Sequence, residues 1–240
     1  MADLMKKGIG FLAIISILIF ILLIKIGYVV GVTAYTQECV IFIVLTLFYY
    51  FTYEKWNMTP IIFTLLIFGH ILHCLGIFGF YNISPFSFIS WERITHFFGM
   101  MPFAMLFFNY FKYKWDVKLF TLKNLTMVMI VFFAASGVGQ LVEASEFWGF
   151  NIYGKGEGFL RFGHGDGIMG PEGQEILDAN GAGWINTGWD LTTNMVGIVF
   201  GIFIMVIIQW GLKKKKKEID LYELEKIYLQ DNNKGYSERF

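Results

Sequence analysis

The stretch WDLTTNMVGIVFGIFIMVIIQWGLKKKKK, residues 189–217, decides the fold. From Met195 to Trp210 it contains no charged residue, it is apolar on every helical face, and it ends at five consecutive lysines, Lys213 to Lys217. A bilayer's hydrocarbon core takes about 20 such residues as a helix, because a helix satisfies every backbone N–H and C=O within the segment. A strand of a membrane barrel would instead alternate at every second residue over about 10 residues. This run does not alternate, so it reads as a transmembrane helix closed by a lysine anchor.

Five similar runs precede it, about Ile9 to Val32, Glu38 to Tyr53, Pro60 to Tyr81, Trp91 to Phe111 and Leu125 to Trp148. With the last span at Trp189 to Gly211, the chain is expected to be all-α, a polytopic transmembrane bundle of about six helices. Composition agrees: 56% of the 240 residues are hydrophobic and 16% charged, with 27 Phe. Soluble domains carry roughly 25% charged residues, so that class is excluded. Residues 1–211 form the expected transmembrane domain, and 212–240 a basic, then mixed-charge tail. Apolar sequence continuing past Lys25 is too long for a cleaved signal peptide and reads as a signal anchor. Cys39 and Cys74 both lie in apolar runs and are read as buried thiols.

Orientation follows from lysine and arginine, which are retained on the cytoplasmic side. With both termini inside, 15 of the 19 basic residues fall on the cytoplasmic face, leaving Lys25, Arg93, Lys155 and Arg161. The expected location is the plasma membrane, multi-pass, with both termini cytoplasmic and no nucleic-acid partner. Ten carboxylates then face outwards: Glu38, Glu92, Glu143, Glu146, Glu157, Asp166, Glu172, Glu175, Asp178 and Asp190. An outer face this acidic favours a cation or a basic group as something bound there, although the positive-inside bias alone leaves an acidic remainder.

Between the fifth and sixth spans, residues 149–188 form a long extracytoplasmic loop with twelve glycines, including Gly163-His164-Gly165-Asp166-Gly167. A loop of this length is usually functional or disordered, and a lid over an outer site is one reading. Its Gly-Asp alternation suggests calcium, but the spacing matches neither an EF-hand nor a nonapeptide repeat.

Ionisable residues inside spans are costly and are functional candidates by default. The fourth span starts outside with Glu92, Arg93 and His96. The fifth ends outside with Gln140, Glu143 and Glu146, and the sixth starts outside with Asp190 and Asn194. Residues three or four apart share a helix face, so each helix carries one polar stripe at the same depth. Gly197-x-x-x-Gly201 continues the sixth stripe as a close-packing surface, which would bring the stripes into one pocket. A neutral imidazole among carboxylates binds a divalent cation or acts as a general base, and spacing alone does not choose between them. His70 and His73 are read as interhelical hydrogen-bonding groups, with ligation as the alternative. No HExxH or GxSxG motif is present.

These residues together suggest a family. Glu92-Arg93-x-x-His96-Phe97-Phe98, Glu143-x-x-Glu146-Phe147-Trp148, Gly165-Asp166 and Trp184-x-Asn186-Thr187-x-x-Asp190-x-x-x-Asn194-x-x-Gly197, in that order, resemble the VanZ-like membrane proteins, most closely their YjdF-like branch. The resemblance covers about Trp91 to Gly201. It implies a small helical inner-membrane protein whose acidic, His and Asp/Asn motifs face one another, in a family whose founding member is linked to low-level resistance to the glycopeptide teicoplanin. It brings no established reaction. The chain departs from the pattern in its longer glycine-rich segment and in having Glu92 where Asp is common.

Two functions remain open at this stage. One is a hydrolase or transferase acting on a lipid-linked or cell-envelope substrate. In it His96, Glu143, Glu146 and Asp190 are catalytic, Glu92, Arg93, Asp166 and Asn194 bind substrate, and a divalent cation is the candidate cofactor. The alternative is a non-enzymatic binding or structural protein whose polar cluster packs the helices.

Overall fold

A computed structural model describes residues 2–31, 36–77, 80, 89–116, 118–153 and 182–237. The described residues form a bundle of six α-helices: α1 (Ala2–Val30), α2 (Thr36–Thr52), α3 (Pro60–Ile77), α4 (Trp91–Phe111), α5 (Leu122–Tyr153) and α6 (Ala182–Ser237). Four of them carry stretches long and apolar enough to cross a membrane, Lys6–Val30, Trp91–Lys114, Leu122–Ser145 and Thr187–Lys216. The other two are shorter, 17 residues in α2 and 18 in α3. At 1.5 Å per residue they reach about 26 Å, a few Å short of a 30 Å hydrocarbon core, a mismatch met by local thinning or snorkelling. The surface is inverted relative to a soluble protein. Phe11, Leu18, Val29, Phe51, Phe133 and Phe203 are exposed, whereas Glu143, Asp190 and Asn194 are buried. Lipid tails accept the first group, and the bundle encloses the second.

Contacts between neighbours fix the direction of each helix. The Gly10 backbone packs on Tyr50, and Phe20 meets Phe42 at 5.7 Å, so α1 and α2 are antiparallel. The Trp91 indole donates to Leu72 O at 3.0 Å while the Asn109 amide donates to Asn57 O at the opposite end, so α3 and α4 are antiparallel. α5 runs against α4, with Gly139 facing Met100, and α6 runs parallel to α4, with Gly197 on Phe97 and Gly201 on Met101. The bundle therefore has a basic end, with Lys55, Lys112, Lys114 and the start of the lysine run. Its other end is acidic, with Glu38, Glu92, Glu143 and Asp190. At the basic end the Lys213 ammonium donates to Trp115 O, tying α6 to the α4–α5 connection.

Local chemistry sets the connections. After α2 the chain reverses through Asn57, whose φ of 50° is left-handed and suits an Asn, and the Thr59 hydroxyl then accepts from Ile62 N at 3.3 Å beside Pro60 at the first turn. In that turn the Tyr53 hydroxyl donates to Glu54 Oε1 at 2.8 Å. Between α4 and α5, buried Asn124 accepts from Asp116 N at 2.7 Å and donates to Lys118 O at 2.8 Å, folding the loop around one side chain. Pro102 stands inside α4 and offers no N–H to Phe98 O, and at that level Gly69 of α3 closes on Phe98 O and Gly99.

Two helices run beyond the expected spans. α5 does not end at Trp148 but continues to Tyr153, and α6 begins at Ala182, so both margins of the expected 149–188 loop are helical. Gly211 does not end α6, which runs on through the lysines as one helix of 56 residues. Five lysines and the Glu/Leu/Lys-rich sequence after them are good helix formers, and a lone glycine costs only about 1 kcal/mol. Residues 154–181 lie outside the described residues.

Cys39 and Cys74 are buried thiols with their sulfurs 3.5 Å apart across the α2–α3 seam. Closing to the roughly 2.05 Å of a disulfide takes about 1.5 Å of side-chain motion. Copper-phenanthroline is therefore expected to remove both thiols together, each losing a proton and an electron to the copper oxidant. Maleimide counting after denaturation checks this. Thiols that remain separately reactive would place α2 and α3 in another register.

Candidate functional site

The site lies at the acidic end, where α4, α5 and α6 meet. Ser90 starts α4 by accepting from Arg93 N at 3.4 Å, an N-cap that sets the first turn bearing Glu92 and Arg93. One turn later His96 points into the bundle. Its Nδ1 is 3.2 Å from Asn194 Oδ1 and 3.7 Å from Glu143 Oε1, and its Nε2 is 3.4 Å from Asp190 Oδ1. Asn194 Nδ2 in turn donates to Glu143 Oε1 at 3.5 Å. Asp190, Glu143 and Asn194 are 2%, 4% and 4% exposed. Glu92 completes the group: it, His96 and Asp190 each offer one ligand atom, all within 4.8 Å of one another. Of the eight residues expected at the site, five thus converge.

Arg93 lies beside the cluster with its guanidinium over the Trp189 ring, 4.3 Å from the centroid. A guanidinium on an indole at the start of a span suits the membrane interface, where both groups face headgroups. Asp166 and the side chain of Glu146 lie outside the described residues. Gln140, expected to share the α5 stripe, is exposed. Gly139 and Glu143, four residues apart, both face Asn194, and Gln140 falls on the flank of that face.

Backbone proximity makes the convergence possible. A Cβ on Gly197 would lie 3.1 Å from Phe97 Cα and overlap Phe97 O, and one on Gly201 would lie 2.5 Å from Met101 O. The close-packing surface expected from Gly197-x-x-x-Gly201 is therefore the α4–α6 seam, and it sets Asn194 beside His96 one turn above. Gly139 was not singled out in the sequence, yet a Cβ there would stand 3.1 Å from Asn194 Nδ2. An i, i+4 spacing to Glu143 was its one signal.

A second polar pair stands at the same end. His73 Nε2 and Glu38 Oε2 are 2.6 Å apart, and His70 bonds the Tyr49 hydroxyl at 3.2 Å while stacking on Phe42 at 4.5 Å. Both histidines of α3 thus take interhelical partners on α2.

Residues 10–211 match the family described as "Predicted membrane protein (DUF2238)". The chain belongs to this family. The DUF2238 match takes in the whole site and ends before the lysine run. No curated protein and no solved structure matches the chain.

Proposed function

We propose that this DUF2238 protein is a membrane-embedded hydrolase or transferase working on a lipid-linked or cell-envelope substrate, of the VanZ-like, YjdF-like type its motifs resemble. One observation carries the reading: His96 is held at Nδ1 by Asn194, with Glu143 behind it, while its Nε2 faces the buried Asp190 carboxylate. Fixing an imidazole in this way prepares it as a general base or metal ligand. Asp190 orients it, Glu143 and Glu146 supply acid/base carboxylates, and Asn194 hydrogen-bonds. Glu92 and Asp166 border the substrate, and Arg93, already stacked on Trp189, pairs with an anionic headgroup. The acidic end faces outwards, with both termini cytoplasmic in the plasma membrane, because the basic end is the one retained inside.

The test is conversion. Wild-type protein in liposomes made from a total envelope lipid extract is expected to consume at least one lipid species, followed by mass spectrometry, and His96→Ala is expected to lower that rate by about 100-fold or more, the scale of a lost general base. No species changing with wild type would overturn the reading.

A second reading has its own support, since Asn194 joins α4 to α5 as a packing staple would. In that case the cluster serves stability, and a variant's loss of cellular phenotype would track its loss of melting temperature. A His96 variant that melts like wild type yet loses conversion separates the two.

A further inference from the structure

We infer that Glu92, His96 and Asp190 form a binding site for a divalent transition metal of the zinc type. The inference rests on the same cluster as the proposed reaction and assigns its cofactor.

The argument starts from Asn194. Its Nδ2 donates to Glu143 Oε1, so its Oδ1 is the atom turned to His96 Nδ1. An amide oxygen only accepts, so Nδ1 is the ring nitrogen that carries the hydrogen. In a neutral imidazole the other nitrogen, Nε2, then bears a lone pair, and it faces a carboxylate oxygen, Asp190 Oδ1, at 3.4 Å. Two acceptors thus face each other at 3.4 Å. A cation between them turns this repulsion into attraction.

Spacing favours a metal. Two ligands each about 2.0–2.2 Å from a four-coordinate zinc stand about 3.3–3.6 Å apart, and the His96–Asp190 separation is 3.4 Å. Glu92, one helical turn before His96, offers a third donor atom; the three lie within 4.8 Å of one another, so the Glu92 side chain must swing inwards to complete the ligand set. One nitrogen and two oxygens from a histidine and two carboxylates suit zinc-type ions and leave a position for water or substrate. The outer arrangement also fits. A metal-bound histidine normally donates its other N–H to an acceptor that fixes its tautomer, and Asn194, itself held by Glu143, is placed as that acceptor.

Full-length protein in detergent, stripped with a chelator and dialysed against Zn²⁺ alone, is expected to retain one zinc per chain by elemental mass spectrometry and to melt at a higher temperature with zinc than without. Asp190→Asn, an isostere that keeps the helix contacts, is expected to lose both effects. Asn194→Ala is expected to weaken binding by about 10–100-fold. Wild-type protein that retains neither Zn²⁺ nor Mn²⁺ overturns the inference and leaves a proton between His96 and Asp190. Zinc retained equally by Asp190→Asn and His96→Ala overturns it as well. Zinc binding without lipid conversion removes the enzyme and keeps the metal site, whereas conversion by metal-free protein does the reverse.

Discussion

Gly197→Ala is expected to destabilise the bundle by about 1–3 kcal/mol, the cost of one methyl group forced into a filled interface. Two effects oppose each other. Alanine is the better helix former by about 1 kcal/mol, which favours the variant. Against it, the new Cβ overlaps the Phe97 carbonyl and lies 3.1 Å from Phe97 Cα, and both are backbone atoms that no rotamer change moves aside. Helix α4 must shift as a body, so the steric term wins. That shift also separates His96 from Asn194, so the loss of stability is accompanied by damage at the site. Gly211→Ala supplies the control, since nothing lies within 4 Å of its would-be Cβ and the same helix carries it. Intrinsic tryptophan fluorescence during thermal unfolding in detergent measures both variants. Gly197→Ala melting at or above wild type would mean that α4 and α6 do not touch along this seam.

The architecture was legible because the solvent acts on every residue of a span. Apolar runs such as that ending at Trp210 require a helix whatever packs beside them. Much of the site was legible for the same reason: Glu92, His96, Glu143, Asp190 and Asn194 are conspicuous where ionisable and amide groups are costly. What did not show was pairing. Nothing in Glu38 or His73 points to the other, because their 2.6 Å contact depends on how α2 leans on α3. Gln140 looked equivalent to Glu143 by spacing alone. The centre of the buried α5 face lies on the Gly139–Glu143 line, set by where α6 approaches, and Gln140 is turned out. Helix ends were also obscured, as at Gly211, where composition marks the membrane edge and the helix itself continues. Hydropathy reports the solvent around a segment, and backbone hydrogen bonding is indifferent to that change.

Asn194→Ala is expected to cost about 2–4 kcal/mol of stability, more than a typical interhelical hydrogen bond in a membrane, which averages about 0.6 kcal/mol. The excess has a source. Asn194 is the donor to Glu143 Oε1 and the acceptor facing His96 Nδ1, so its loss takes one hydrogen-bond partner from a buried carboxylate and one from a part-buried imidazole. Leaving a buried group unsatisfied costs about 1–3 kcal/mol, and more when it is charged. If this is the reason, neutralising the carboxylate relieves part of the cost. Glu143→Gln combined with Asn194→Ala should destabilise less than the sum of the single variants, with a coupling of about 1–2 kcal/mol. Gly139 refines the test. It leaves the space that the Asn194 amide occupies, so Gly139→Ala should damage the wild-type protein but be tolerated once Asn194 is alanine. Strict additivity in the Glu143 cycle, with coupling kept in the Gly139 cycle, would mean that Asn194 acts through its bulk alone. The chain from Glu143 through Asn194 to His96 would then no longer fix the imidazole, and the assignment of its lone pair would fall with it.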